Sequence, residues 1–342
     1  SAFFQTTLYT GNNTGGASNT ITNDGNSDLQ PDWVWIKSRS GAANHNCSDS
    51  SRGATKHLAQ NIAYQEETVA GISAYNSDGF TVGSNNDANF NGATFVAWQW
   101  KANGGTTTAF SESGNNPGGT YQANTTAGFS IVTYTGTGAA GTVTHGLGVA
   151  PKLIIIKNRD VADPWAVYYG DATDYLVLNT TAATVDNAAW WNDTAPSSTV
   201  FTVNTDHSVN ADGETYVAYA FAEVQGYSKF GSYVGNGNVN GPMVYLGFKP
   251  AVIILKQTNT TGNWHIIDNK RSASGGANVN VYTLFPNLDA AESTGEAAST
   301  YGVDFLSNGF KIRASHSTRN ASGGSYIYMA FAENPFTTST GI

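Results

Sequence analysis

Six histidines, two acidic pairs, one glycine loop and a Trp-Trp dipeptide are the residues whose types and spacing could do chemistry here. No two of His45, His57, His145, His207, His265 and His316 stand at the H-x-H or H-E-x-x-H spacing that puts two imidazoles on one metal. His145, between Thr144 and Gly146, reads as a turn or surface residue. Glu66 with Glu67, and Asp171 with Asp174, could divide acid and base roles across a glycosidic bond, but that needs a set separation across a cleft. Solvated loops are the plainer reading. "GTGAAG" at 136–141 fits a dinucleotide loop, yet "TVTHGLGVAP" follows it and cannot begin the helix whose amides would hold a pyrophosphate. No serine sits in a G-x-S-x-G elbow, and Cys47, the single cysteine, reads as a small buried apolar side chain. Neither a cofactor nor catalysis is expected.

The aromatics offer more. Trp190 and Trp191 form "AAWWND" in a loop-like stretch. An extended chain sends adjacent side chains to opposite faces, so at least one ring is expected to be exposed or at an interface, free to stack on a sugar or a partner. Trp165, Tyr168 and Trp264 join them as ligand-binding candidates, although their block recurs along the chain and therefore also reads as core.

The elements that must position these residues are read from composition and repeats. Charged residues make up 12% of the 342, roughly half the ~25% of ordinary soluble domains, while Gly reaches 38 and Asn, Thr and Ser fill the gaps between apolar runs. Hydroxyls and amides must cover the surface. A net charge of -9 without a basic stripe argues against nucleic acid as a partner. No stretch has the length of a signal peptide or a membrane span, so membrane insertion is not expected.

Three phrases recur in register: "FFQTTLYTG", "GFSIVTYTG" and "YSKFGSYVG"; then "LQPDWVWIKSR", "HGLGVAPKLIIIKNR" and "LGFKPAVIILKQT"; then "TFVAWQWKA", "TYVAYAFAE" and "SYIYMAFAE". Lys37, Lys157 and Lys256 each follow Pro31, Pro151 and Pro250 by six positions, and are expected where the strand leaves the core. The aligned closing aromatics are Phe95, Tyr216 and Tyr326, then Trp100, Phe221 and Phe331. A further block pairs "GATKHLAQN" with "DATDYLVLN", both read as strands. The β-branched and aromatic runs between Gly/Asn/Asp turns give an all-β chain: three tandem antiparallel β-sandwich modules related by internal repeat. Their bounds are 1–104, 127–225 and 226–336, with a Gly/Thr-rich linker at 105–126 read as exposed and a C-terminal tail at 337–342. The first module is expected to reorient, and the other two to pack together.

"FSIVTYTG", "HGLGVAPKLIIIKNR", "QPDWVWIKSR", "NSDGFTVG", "FVAWQWKA" and "YIYMAFAENPF" make the chain similar to a repeat family of tail and other virion proteins of tailed bacteriophages from aquatic bacteria. The resemblance spans nearly the whole chain and carries no catalytic residues. It implies a virion protein on the particle surface, of the tail-fibre or receptor-binding type, whose partners are other virion proteins and a host surface glycan or protein. Homo-oligomers, trimers above all, are common in such fibres. The first module opens at Phe3, which leaves an anchoring segment of the kind seen in longer fibres to another chain or to a sandwich face. A structural or decoration subunit tiling a capsid or tail is the alternative, and carbohydrate degradation a third reading.

Overall fold

The computed structural model describes residues 1–271, 278–294, 297–332 and 334–335; the 337–342 tail lies outside them. The chain is all-β, with strands in several antiparallel sheets and helices of four residues each. Among the described residues, no helix is long and apolar enough to cross a membrane.

One strand order occurs three times. In residues 1–104 the order is Phe4–Thr10, Thr94–Trp100, Trp33–Ser38, Asn46–Asp49. In 127–225 it is Phe129–Thr135, Thr215–Phe221, Leu153–Asn158, Ala166–Tyr168, and in 226–335 it is Ser228–Val234, Ser325–Ala332, Pro250–Gln257, His265–Asp268. Each of these sheets faces a smaller one across a private core. Val34, Ile36, Phe95 and Ala97 meet Ile21, Phe80 and Val82 in the first. Ile154, Ile156 and Ala218 meet Val143, Phe201 and Val203 in the second, and Ile253, Leu255 and Ala330 meet Val244, Phe305 and Phe310 in the third.

The recurring Tyr-x-Gly has a physical cause. Tyr9, Tyr134 and Tyr233 stack on Phe95, Tyr216 and Tyr326 at 5.1, 5.0 and 4.9 Å. Their hydroxyls donate to the carbonyls of Ala88, Val209 and Arg319 at the end of a short helix. Two residues on, a Cβ at Gly11, Gly136 or Gly235 would stand 2.2, 2.1 or 2.3 Å from the carbonyl oxygen of Phe90, Ala211 or Ala321. Only glycine lets the backbone pass so close.

The long hydrophobic runs have no polar face because both of their faces are covered. Val34 and Ile36 point into the private core, and the alternate Trp33 and Trp35 point into a fourth cluster. Leu153, Ile155, Val252 and Ile254 do the same from their own strands. That cluster joins all three stretches of chain. At its centre Trp100, Phe221 and Phe331 form a triangle of mostly edge-on rings, with centroids 6.3, 5.6 and 5.6 Å apart. Phe4 stacks on Phe331 at 5.5 Å. Each buried ring contributes about 2 kcal/mol by area, and edge-to-face geometry adds about 1 kcal/mol per pair.

Four expectations are corrected. The 105–126 stretch is not a bare linker: Thr108–Phe110 pairs with Gly119–Asn124, which pairs with Phe129–Thr135 and extends that sheet. Buried Gln122 also accepts from the amides of Asn103 and Gly105 and donates to Ser50 and Ser51, which ties 1–104 down rather than freeing it. Lys37, Lys157 and Lys256 are fully buried instead of carrying charge out of the core. Each sits at the end of the row facing the shared cluster and donates to the carbonyl of its successor, Ser38, Asn158 or Gln257, while burial lowers each ammonium to about 8. Finally, Asp174–Val177 is a strand, but in "GATKHLAQN" only Lys56–His57 is one; Leu58 makes a single antiparallel bridge to Cys47, and the chain turns from Gln60.

Candidate functional site

None of the five sequence-derived aromatic candidates faces solvent. Asn187 caps a four-residue helix, Ala188–Trp191, by accepting from the Ala189 amide, and Asn192 ends it in the left-handed region at φ 51°. Helical neighbours are about 100° apart around the axis rather than 180°, so both rings turn inward. Trp190 is 4% exposed and stacks on Tyr175 at 3.7 Å; Trp191 is 1% exposed and meets Tyr168 edge-on at 5.8 Å. The expectation of an exposed or interfacial ring fails because it assumed an extended chain. Tyr168 lies in the same private core, and Trp165 and Trp264 are fully buried.

Trp165 and Trp264 instead hold stretches of chain together. The Trp165 indole donates to the Ala59 carbonyl at 2.9 Å and the Trp264 indole to the Val177 carbonyl at 3.0 Å. His45 holds the third corresponding place. The Trp35 indole donates to its Nδ1 at 2.7 Å, so Nε2 carries the proton and donates toward the carbonyls of Phe285 and Leu288, both at 3.1 Å. The backbone amides of these three residues donate to the side chains of Asn61, Asn179 and Asn287. A second set runs the opposite way: the amides of Glu66, Thr184 and Glu292 donate to the carbonyls of Arg159, Thr258 and Arg39. Residues 1–104 thus bond 127–225, these bond 226–335, and those bond 1–104 again. The seams close a ring.

Among the described residues, two seams carry clusters of buried arginine and carboxylate. Arg52 reaches Asp49 at 2.5 Å and Glu66 at 2.9 Å, and Arg159 from the neighbouring stretch also reaches Glu66 at 2.9 Å. Tyr219 donates to Asp49 at 2.8 Å. On the next seam Arg271 reaches Asp268 at 2.6 Å and Glu292 at 2.8 Å, Arg39 joins Glu292 at 2.8 Å, and the Trp98 indole donates to Asp268. The third seam has Thr184 and Thr258 where the others have Glu and Arg. Burial works against the Glu66 carboxylate, yet bonds from Arg159 and Arg52 hold it below its ordinary range. The signal for these clusters stood in the sequence: "DSSR" and "DNKR" recur at one place in the repeat, with Asp49 and Asp268 three positions before Arg52 and Arg271.

Other candidates for chemistry serve the fold. Asp171 accepts from the amide and hydroxyl of Thr173, and Asp174 accepts from the Tyr169 hydroxyl. His145 is fully buried, not at the surface; its Nδ1 accepts from the Leu147 amide, and burial lowers its pKa. Burial, then Lys37, bring His45 down to about 3, and burial pushes the Cys47 thiol up to about 11, away from any nucleophilic use. "GTGAAG" joins two strands, with the Thr137 amide bound by the Asn210 side chain.

A protein family described as Domain of unknown function (DUF7483) matches residues 1–335. No curated protein and no solved structure matches the chain.

Proposed function

The chain belongs to the DUF7483 domain family, and from its resemblance to virion repeat proteins and the ring of seams we propose for it a non-enzymatic role in a bacteriophage virion. It is a tail-fibre or receptor-binding component on the particle surface that joins other virion proteins and attaches to a host surface component, in first place a glycan. It consists of three antiparallel β-sandwich modules, 1–104, 127–225 and 226–336, related by internal repeat.

One observation carries this reading. Corresponding residues bond across three seams in cyclic order, Trp165 to Ala59, Trp264 to Val177 and His45 to Phe285, around the aromatic triangle. A single chain thereby reaches the threefold arrangement that trimeric fibres build from three chains, which suits a rigid unit seated on a threefold axis. Attachment without catalysis is supported by the use of the acidic candidates: Glu66 is tied to two arginines, and Asp171 and Asp174 hold local turns and strands.

The second reading, a decoration or structural subunit, is favoured by the burial of Trp165 and Trp264 between modules. Gold-labelled antibody against this chain on intact particles separates the two. Few copies at a tail tip are expected for attachment; many copies over a capsid or tail lattice would overturn it.

A further inference from the structure

The short helix that receives the Tyr hydroxyl occurs three times, as Asn86–Asn89, His207–Asn210 and Ser317–Asn320. Its Asn89, Asn210 and Asn320 are all buried, and each binds the amide of a residue following a first strand: Asn12, Thr137 or Asn236. The residue closing the helix differs. It is Ala211 and Ala321 in two copies and Phe90 in the other. The fold needs from this position only a backbone carbonyl against the glycine of Tyr-x-Gly, so nothing in it calls for a large ring. Phe90 nonetheless projects one, 56% exposed.

The ring stands over a groove of about 510 Å³ between the turn at residues 40–43 and the helix, with Ser40, Asn86, Asp87 and Asn91 at its edges. The groove is open above Gly41 and Gly92, where an added Cβ would meet nothing within 4 Å. Hydroxyl, amide and carboxylate groups thus surround one flat apolar face. The Asp87 carboxylate gives the groove a negative charge, and among the described residues no lysine or arginine lines it.

We propose that this groove is a carbohydrate subsite, in which the apolar C–H face of a neutral sugar ring stacks on Phe90 while its hydroxyls bond Asp87 and the neighbouring amides. Aromatic faces bury the apolar side of such ligands, and a few placed polar groups fix their orientation. An anionic sugar would meet Asp87 with like charge. The inference rests on the glycan reading of the attachment function and adds its place and the charge class of its ligand.

The test is binding of the full chain to an array bearing neutral hexose and N-acetylhexosamine oligosaccharides beside uronic-acid and sialic-acid ones. The wild type should hold neutral glycans only. Phe90→Ala and Asp87→Asn should each weaken binding tenfold or more, and Phe90→Trp should keep it, with thermal midpoints confirming that all variants fold. Wild-type binding that survives Phe90→Ala overturns the subsite and leaves the attachment reading intact, as does a preference for acidic glycans. Absence of wild-type binding to every glycan overturns both the subsite and the glycan reading on which it rests.

Discussion

The Trp165 indole donates to the Ala59 carbonyl across 106 residues of sequence. Both groups are buried, so neither can exchange the bond for one to water. Trp165→Phe keeps most of the packing and deletes the donor; it should cost about 1 kcal/mol, more if the carbonyl stays unsatisfied. Trp165→Ala should cost about 3–5 kcal/mol through the cavity it leaves. Urea unfolding of the two variants measures both, and a Trp165→Phe variant as stable as the wild type would mean that the bond contributes nothing beyond packing.

Arg52 faces two carboxylates with no exposed surface of its own. Removing it in Arg52→Met leaves Asp49 and Glu66 buried with less compensation, which should cost about 3–5 kcal/mol. Lys270 and Asp24, a pair at 38% and 62% exposure, provide the contrast. Lys270→Ala should change stability by at most about 1 kcal/mol. Denaturation midpoints of the two variants side by side check the difference, and the first should be insensitive to added salt.

Stability should rise with pH in two windows. Below about 6.5 the unfolded chain protonates its histidines, whereas burial keeps His45, His145 and His265 neutral in the fold. The unfolded state therefore binds more protons, and acid weakens the fold. Between about 8 and the ordinary lysine value of 10.5, unfolded lysines remain charged while Lys37, Lys157 and Lys256 have lost their protons, so stability rises again. Buried tyrosines such as Tyr219 and Tyr233, held far above 10, reverse the trend beyond that pH, because only the unfolded chain ionises there. Guanidinium titrations from pH 5 to 10 would trace the curve, and Lys157→Met should flatten its upper rise.

Trp190→Ala and Trp191→Ala act on a core. Each should lose about 3–5 kcal/mol, since Trp190 gives up its stack on Tyr175 and Trp191 its contact with Tyr168. Any fall in ligand binding should track the unfolded fraction seen by circular dichroism. A variant that is fully folded yet no longer binds would contradict this placement.

The sequence made legible what lies within one stretch of the repeat. The Tyr-x-Gly phrases and the aligned aromatics Phe95, Tyr216 and Tyr326 became stacked pairs. Trp100, Phe221 and Phe331 were aligned too, but that they touch one another depends on three sheets meeting, which no local pattern encodes. The same reason hid the lysines. A Lys at a strand end normally reaches water, and these are enclosed because neighbouring chain covers the face they lie on. Trp190 and Trp191 were misplaced for a different cause: one helical turn, nucleated by Asn187, in a stretch whose composition reads as loop. Phe90 went unnoticed because a lone aromatic beside Asn and Gly carries no pattern, and its meaning came from Ala211 and Ala321 at the matching helix ends.

Phe4 stacked on Phe331, with the Asn26 amide reaching Asn334, brings the beginning of the described chain against its end. Around a closed circuit, the order in which the polypeptide visits the three larger sheets becomes a matter of connection rather than of shape. A circular permutant with the two ends linked, and reopened at the exposed turn between Ser113 and Asn116, keeps every seam bond and should refold to the same molecule.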